Sequence, residues 1–225
     1  MPGIFITGTD TEIGKTRVSC ALLQALNRQQ LKTGGMKPVA SGATSDVGQL
    51  QNEDALKLMA AASLQLTYEQ VNPYLFKVAA SPHIAAALEQ QQVSLDRIVA
   101  CYRAIEKQAD FVVVEGVGGW LAPLNEQQTV EHMALALDIP VLLVVGMHLG
   151  CLNHALLTAQ RIQQAGLKLA GWIANCLDNN FPYLEENIST LEQRIDAPLV
   201  ARLNENQTDF AEKYEKSISL LVKTK

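Results

Sequence analysis

Gly8-Thr9-Asp10-Thr11-Glu12-Ile13-Gly14-Lys15-Thr16 follows an apolar run, Ile4-Phe5-Ile6, and leads into a segment beginning Arg17-Val18 whose apolar residues Val18, Leu22, Leu23 and Leu26 recur at helical spacing. Strand, glycine-bearing loop and helix in that order make a phosphate-binding loop. The glycines let backbone N–H groups turn toward phosphate, Lys15 neutralises the terminal phosphates, Thr16 offers a hydroxyl to Mg²⁺, and the helix N-terminus adds positive potential. The spacing is a variant one. The usual pattern is Gly-x-x-x-x-Gly-Lys-Ser/Thr, whereas here five residues separate Gly8 from Gly14 and Thr9 stands where the first glycine is expected. The competing reading is an ordinary strand-to-helix turn; the flanking strand and helix favour binding of a nucleoside triphosphate.

The 225 residues suffice for one sizeable core and are few for two, and 48% hydrophobic with 18% charged residues is ordinary for a globular chain, so a single domain over 1–225 is expected. A net charge of −5 with no Lys/Arg cluster argues against sequence-independent nucleic-acid binding, which needs a basic face. Met1-Pro2-Gly3-Ile4-Phe5 lacks the charged and apolar regions of a signal peptide. The longest apolar run, 139–145, is too short to span a bilayer, so a cytoplasmic protein with no membrane partner is expected. Cys20, Cys101, Cys151 and Cys176 are widely spaced and contain no C-x-x-C pair, which reads as buried thiols rather than a zinc site or disulfide framework.

Gly3 to Thr7 reads as a first strand and Thr16 to Arg28 as the helix behind the loop. A weaker strand, Thr33 to Val39, leads into Met36-Lys37-Pro38-Val39-Ala40-Ser41-Gly42, placing Lys37 and Ser41 at a strand's C-terminal end, where ligands collect in open parallel sheets. Gly42 to Gln51 is expected to be a polar loop and Glu53 to Ala62 a helix with Asp54 in its first turn, where a carboxylate also favours the helix dipole. A strand broken by Pro73 is expected over 71–76. Ser81-Pro82-His83 has the form of an N-cap with proline at the first helical position, and 94–107 carries a helical apolar stripe. Phe111-Val112-Val113-Val114 is a strand buried on both faces. It ends in Glu115-Gly116-Val117-Gly118-Gly119, an acidic tip able to supply a Walker-B-like Mg²⁺ contact. Helices are expected over 129–137, from 151 to 164, over 182–194 and around 210–216, and strands over 140–145, 169–174 and 198–203. Alternation of strands and helices makes this an α/β fold of the P-loop NTPase-like type, with a mainly parallel sheet flanked by helices on both faces. The loops 8–16, 37–41, 115–119 and 146–150, with Asn175, then line one edge.

The P-loop stretch, Lys37-Pro38-Val39-Ala40-Ser41-Gly42, Ser81-Pro82-His83, Val114-Glu115-Gly116-Val117-Gly118-Gly119 and Leu149-Gly150-Cys151-Leu152-Asn153-His154 together resemble the dethiobiotin synthetase family over residues 4–200. The resemblance implies a homodimeric Mg-ATP ligase that closes the ureido ring of dethiobiotin from 7,8-diaminononanoate and CO₂. It further implies that Glu12, Ile13, Gly14, Lys15, Thr16, Arg17, Asp54, Glu115, Gly116, Val117, Gly118, Asn175 and Cys176 face the nucleotide and that Thr16, Asp54 and Glu115 hold Mg²⁺. Thr11, Lys15 and Lys37 would act in the chemistry, and Lys37, Ser41, Gly150 and Asn153 would meet the diamine or its carbamate. Two departures stand out: His148 replaces the lysine usual before the Leu-Gly-Cys turn, and Leu203 is followed by Asn204-Glu205-Asn206 rather than proline.

Two other classes fit parts of the pattern. A dimeric ATPase switch of the partitioning or metallocentre-insertion type shares the loop but generally carries a second lysine early in it, where this chain has Asp10 and Glu12. A GTP-dependent enzyme is suggested by Asn175-Cys176-Leu177-Asp178, which imitates the Asn-Lys-x-Asp guanine reader without its lysine; Asn175 alone could equally bond an adenine edge.

Overall fold

A computed structural model describes residues 3–46, 49–176, 178 and 181–204. From the N-terminus, β1 (Gly3–Gly8) passes through the phosphate loop into α1 (Lys15–Arg28), followed by β2 (Thr33–Met36), β3 (Val39–Ser41), β4 (Thr44–Asp46) and β5 (Gln49–Gln51). The middle of the chain forms α2 (Glu53–Ala61), α3 (Tyr68–Val71), β6 (Tyr74–Phe76), α4 (Pro82–Leu88) and α5 (Leu95–Glu106). Then come β7 (Phe111–Glu115), α6 (Val130–Leu137), β8 (Val141–Gly146), α7 (Cys151–Gln164), β9 (Leu169–Asn175), α8 (Leu184–Arg194) and β10 (Leu199–Leu203).

The main sheet has the order β10-β9-β8-β1-β7-β2 with every pairing parallel. β1, β7 and β8 are buried at every position, as their apolar, largely β-branched sequences require. The two-residue period of a strand divides them between two cores. Ile4, Ile6, Val113, Leu142 and Val144 pack with Val18, Leu22 and Leu58 from α1 and α2, whereas Phe5, Val112, Val114, Leu143 and Val145 pack with Ile98, Met133, Ile162 and Ile188 from α5 to α8. Each such side chain contributes about 1.5–3 kcal/mol on burial, which is what holds the sheet's C-terminal edge rigid. No described helix is long and apolar enough to cross a membrane.

Several local expectations change. The strand expected over 33–39 ends at Met36 because Pro38 has no N–H for a ladder and the Lys37 N–H donates to Val71 O (2.9 Å); Val39–Ser41 instead pairs with β6 in a separate two-stranded sheet. The loop 42–51 contains the antiparallel pair β4–β5. Over 71–76 the chain first finishes α3, which opens on a Thr67/Gln70 capping box, a Thr-x-x-Gln signature visible in the sequence, and only then forms β6. Of the four thiols, Cys151 and Cys176 are buried but Cys20 and Cys101 only partly so, because they sit toward the edge of the buried stripes of α1 and α5. The last helix expected, 210–216, lies outside the described residues.

Candidate active site

The loop between β1 and α1 turns through two left-handed positions, Glu12 at φ 58° and Gly14 at φ 86°. Gly14 is obligatory there for a second reason. A Cβ on it would lie 2.2 Å from the Asn175 Nδ2, which donates to Ile13 O at 2.7 Å and so ties the end of β9 to the loop. Lys15, 7% exposed, donates to Asp10 O at 2.6 Å. Burial pushes its ammonium down to about 8, with Lys37 adding to the fall against Glu115, Asp54 and Asp10.

Next to the loop, β7 delivers Glu115, fully buried, and β2 delivers Lys37 just past its end. Lys37 Nζ donates to Glu115 Oε1 at 2.6 Å and to Asp54 Oδ2 at 3.0 Å, and lies 3.4 Å from Gly116 O. Burial alone would lower the Lys37 pKa; the two carboxylates outweigh it by charge and hydrogen bonding, so the ammonium is held above the ordinary lysine value. Burial alone would raise Asp54, but Lys37 and the Thr16 hydroxyl hold its carboxyl below the usual range. The Thr16 hydroxyl donates to Glu115 Oε1 at 2.8 Å, while Glu115 Oε2 is buried with no partner.

Thr16, Asp54 and Glu115 therefore bring three hard oxygen donors together, one orphaned. That set suits Mg²⁺, which binds one or two carboxylates and completes its shell with phosphate oxygens and water. No group of three or more His, Cys, Asp or Glu gathers among the described residues, and a site of this kind needs none.

Thr11, Glu12, Gly14, Lys15, Thr16, Arg17, Lys37, Ser41, Asp54, Glu115, Val117 and Gly118 line one cavity of about 480 Å³. Ile13 and Gly116 stand behind that lining: Ile13 is 3% exposed, and a Cβ on Gly116 would meet the Phe5 ring at 3.1 Å. Asn175 and Cys176 are buried at the end of β9, Asn175 against the loop backbone with Oδ1 unpartnered, Cys176 with its N–H on Leu203 O (2.7 Å). Gly150 and Asn153 are not in that lining. Gly150, at φ 96°, caps α7 beyond β8, and Asn153 is exposed on its first turn.

Asn52, Ala40 and Lys57 also line the cavity, unforeseen from the sequence. Asn52 was findable as the N-cap of α2, whose side chain accepts from Ala55 N; nothing marked Lys57. Asn72, also unforeseen, is buried and donates to Lys37 O at 2.6 Å, fixing the bend after β2. A larger groove of about 800 Å³ runs between α4 and residues 124–128, but its lining is mainly apolar and amide side chains with no convergent charges.

A parallel sheet with a glycine loop, a lysine and hydroxyl opening the helix behind it, and carboxylates from the tip of β7 and the first turn of α2 defines a P-loop nucleotide-binding α/β protein. The same fold occurs in the MinC:MinD cell division protein complex of Aquifex aeolicus (TM-score 0.58, 10% identity, 99% of this chain and 94% of that one). It occurs also in a ParA family ATPase of Chlorobium tepidum (TM-score 0.54, 13% identity, 99% and 90%). Residues 2–210 match the AAA domain family. Much closer in sequence are the ATP-dependent dethiobiotin synthetases of Cellvibrio japonicus, 51% identical over 92% of both chains, and of Aromatoleum aromaticum, 50% identical over 87% of both. The chain belongs to the AAA domain family and to the ATP-dependent dethiobiotin synthetase family.

Proposed function

We propose that the protein closes the ureido ring of dethiobiotin from 7,8-diaminononanoate and CO₂, consuming ATP and releasing ADP and phosphate, as a homodimer that uses Mg²⁺. The observation that carries this reading is the convergence of Lys37, Ser41, Asp54 and Glu115 on the phosphate-loop cavity in a chain 51% identical to a dethiobiotin synthetase.

The chemistry asks for positioning and cations rather than a protein nucleophile. One amine adds to CO₂ and loses a proton, giving a carbamate; a carbamate oxygen attacks the γ-phosphorus and expels ADP; the second amine attacks the carbonyl carbon and expels phosphate. Negative charge builds on oxygen at each stage, and fixed cations in a site shielded from water stabilise it. Lys15, released from the Asp10 carbonyl, meets the phosphates, whose negative charge raises its lowered pKa and so strengthens its hold on the proton. Lys37, held protonated, serves as a charge donor to carbamate and phosphoryl oxygens rather than as a base. Thr11 and Ser41 offer hydroxyls to orient the carbamate. Mg²⁺, held by Thr16, Asp54 and Glu115, would supply additional charge neutralisation at the phosphates. The N-terminal end of α7, with Gly150 and Asn153, would receive the substrate's carboxylate, within one subunit or from the partner copy.

The switch-ATPase reading is disfavoured by Asp10 and Glu12 where a second lysine belongs, and likeness to MinD and ParA at 10–13% identity speaks for fold alone. Mixing protein, Mg-ATP, bicarbonate and 7,8-diaminononanoate and following products by mass spectrometry tests the proposal. A cyclic urea is expected; nucleotide hydrolysis without it would overturn the assignment.

A further inference from the structure

The glycine turn after β7 rests directly on the phosphate loop. A Cβ on Gly119 would lie 3.7 Å from both Gly8 O and Thr9 O, and one on Gly118 would lie 3.8 Å from Thr11 Oγ1. The Gly116 N–H donates to Ile6 O at 2.9 Å and Val117 packs on the core, but Gly118 and Gly119 bring no side chain to hold the far end of the turn. The anchor is the next residue. Trp120 is 3% exposed, stands edge-on to Phe5 of β1 with ring centroids 6.3 Å apart, and donates its indole N–H to Glu131 Oε2 at 2.7 Å.

Glu131 is a buried carboxylate in the first turn of α6, and its N–H returns to Trp120 O at 3.0 Å. Its charge is matched by Arg161 of α7, whose Nε and Nη2 donate to Oε2 and Oε1 at 2.7 and 2.5 Å. A bidentate guanidinium is the geometry that makes burying such a carboxylate tolerable. The consequence is topological. α7 follows β8 and the glycine turn follows β7, and these two strands flank β1. Trp120, Glu131 and Arg161 thus tie the glycine turn after β7, through the first turn of α6, to the last turn of α7.

We propose that Glu131 and Arg161 are positioning residues that act through Trp120 to set the Gly116–Gly119 turn over the phosphate-loop cavity, whose lining Val117 and Gly118 join. Lys15 and Thr16 take their places from α1 and do not depend on the clamp. In naming the diamine, the proposal rests on the ring-closing reading above.

Arg161 has a half-exposed side chain, so Arg161→Ala removes the clamp's outer partner without hollowing the core, and Glu131→Gln keeps an acceptor for the indole while discharging the pair. The chain has two tryptophans, and Trp172 makes no hydrogen bond through Nε1, so Trp172→Phe leaves Trp120 as the reporter. In that background Arg161→Ala is expected to raise acrylamide quenching of Trp120 and to raise KM for the diamine by about five-fold or more. The Kd for ATP, by calorimetry, should rise as well, since Val117 and Gly118 line the same cavity, and Arg161→Lys should recover part of both losses. In a Trp120→Phe background the same Arg161→Ala change should add little, since its route of action is gone. Unchanged KM for the diamine and Kd for ATP, or an undiminished effect without Trp120, would overturn the proposal. Should the parent protein make no cyclic urea, the functional reading fails on its own, while unchanged Trp120 quenching in Arg161→Ala would overturn the clamp independently.

Discussion

Lys15 and Lys37 are both buried lysines at one cavity, yet their surroundings drive them in opposite directions. Lys15 has only a carbonyl as its hydrogen-bond acceptor, whereas Lys37 sits between two carboxylates. Lys15→Ala removes a charge aimed at phosphates and no core contact of consequence. Ring closure is expected to vanish with circular dichroism unchanged, and retained product formation would refute the role. Lys37→Met instead leaves Glu115, fully buried, without its cation. Loss of one member of such a pair costs about 3 kcal/mol, so a lower Tm is predicted without metal. Mg²⁺ should raise the variant's Tm more than the parent's, because a second cation replaces the missing one; equal shifts by differential scanning calorimetry would argue against a metal at these carboxylates. Cys20 carries the pH prediction. Burial, aided by the Glu115 charge, pushes its thiol up to about 12 from 9.0, so folding retains a proton that the unfolded chain has lost between those values, and stability falls as pH rises through that window. Alkylation followed by mass spectrometry at pH 8 should therefore spare Cys20 in the folded protein, and rapid modification there would contradict the burial.

At the scale of elements, the loop's shape depends on Asn175 at the far end of β9. Its amide spans to Ile13 O and fills the space beside Gly14, so Asn175→Ala should loosen the loop and weaken ATP binding several-fold, by about 1 kcal/mol for one lost buried hydrogen bond. Unchanged calorimetric affinity would make the contact incidental. Gly14→Ala should do worse, adding left-handed strain to a direct clash. Elements with long periodic patterns, α1, α5 and α7, and the unbroken apolar strands β7 and β8, were legible from the sequence. β3, β4 and β5 were not, because three-residue strands carry too few positions to show a period and exist through their partners, whereas β6 falls within the strand expected over 71–76.

Across the whole molecule, the turn before α7 exposes Leu149 at 91% and α7 exposes Leu157 at 58%, apolar surface that the proposed homodimer would cover. Sedimentation is expected to give twice the chain mass of 24.5 kDa, with Leu157→Glu shifting it toward the single chain. A lone-chain mass for the parent would remove the dimer from the functional reading. By itself the sequence determined the phosphate loop, the buried central strands and the order of α and β elements, since each rests on local chemistry: glycine dihedrals, β-branched runs, helical spacing. Only the tertiary structure decided which tips meet. Lys37 and Asp54 are 17 residues apart and Lys37 and Glu115 are 78 apart, yet they form one hydrogen-bonded cluster. The Trp120, Glu131 and Arg161 clamp had no signature in the sequence at all. A buried carboxylate is identified by what surrounds it, and strand order in the sheet, not spacing along the chain, sets those surroundings.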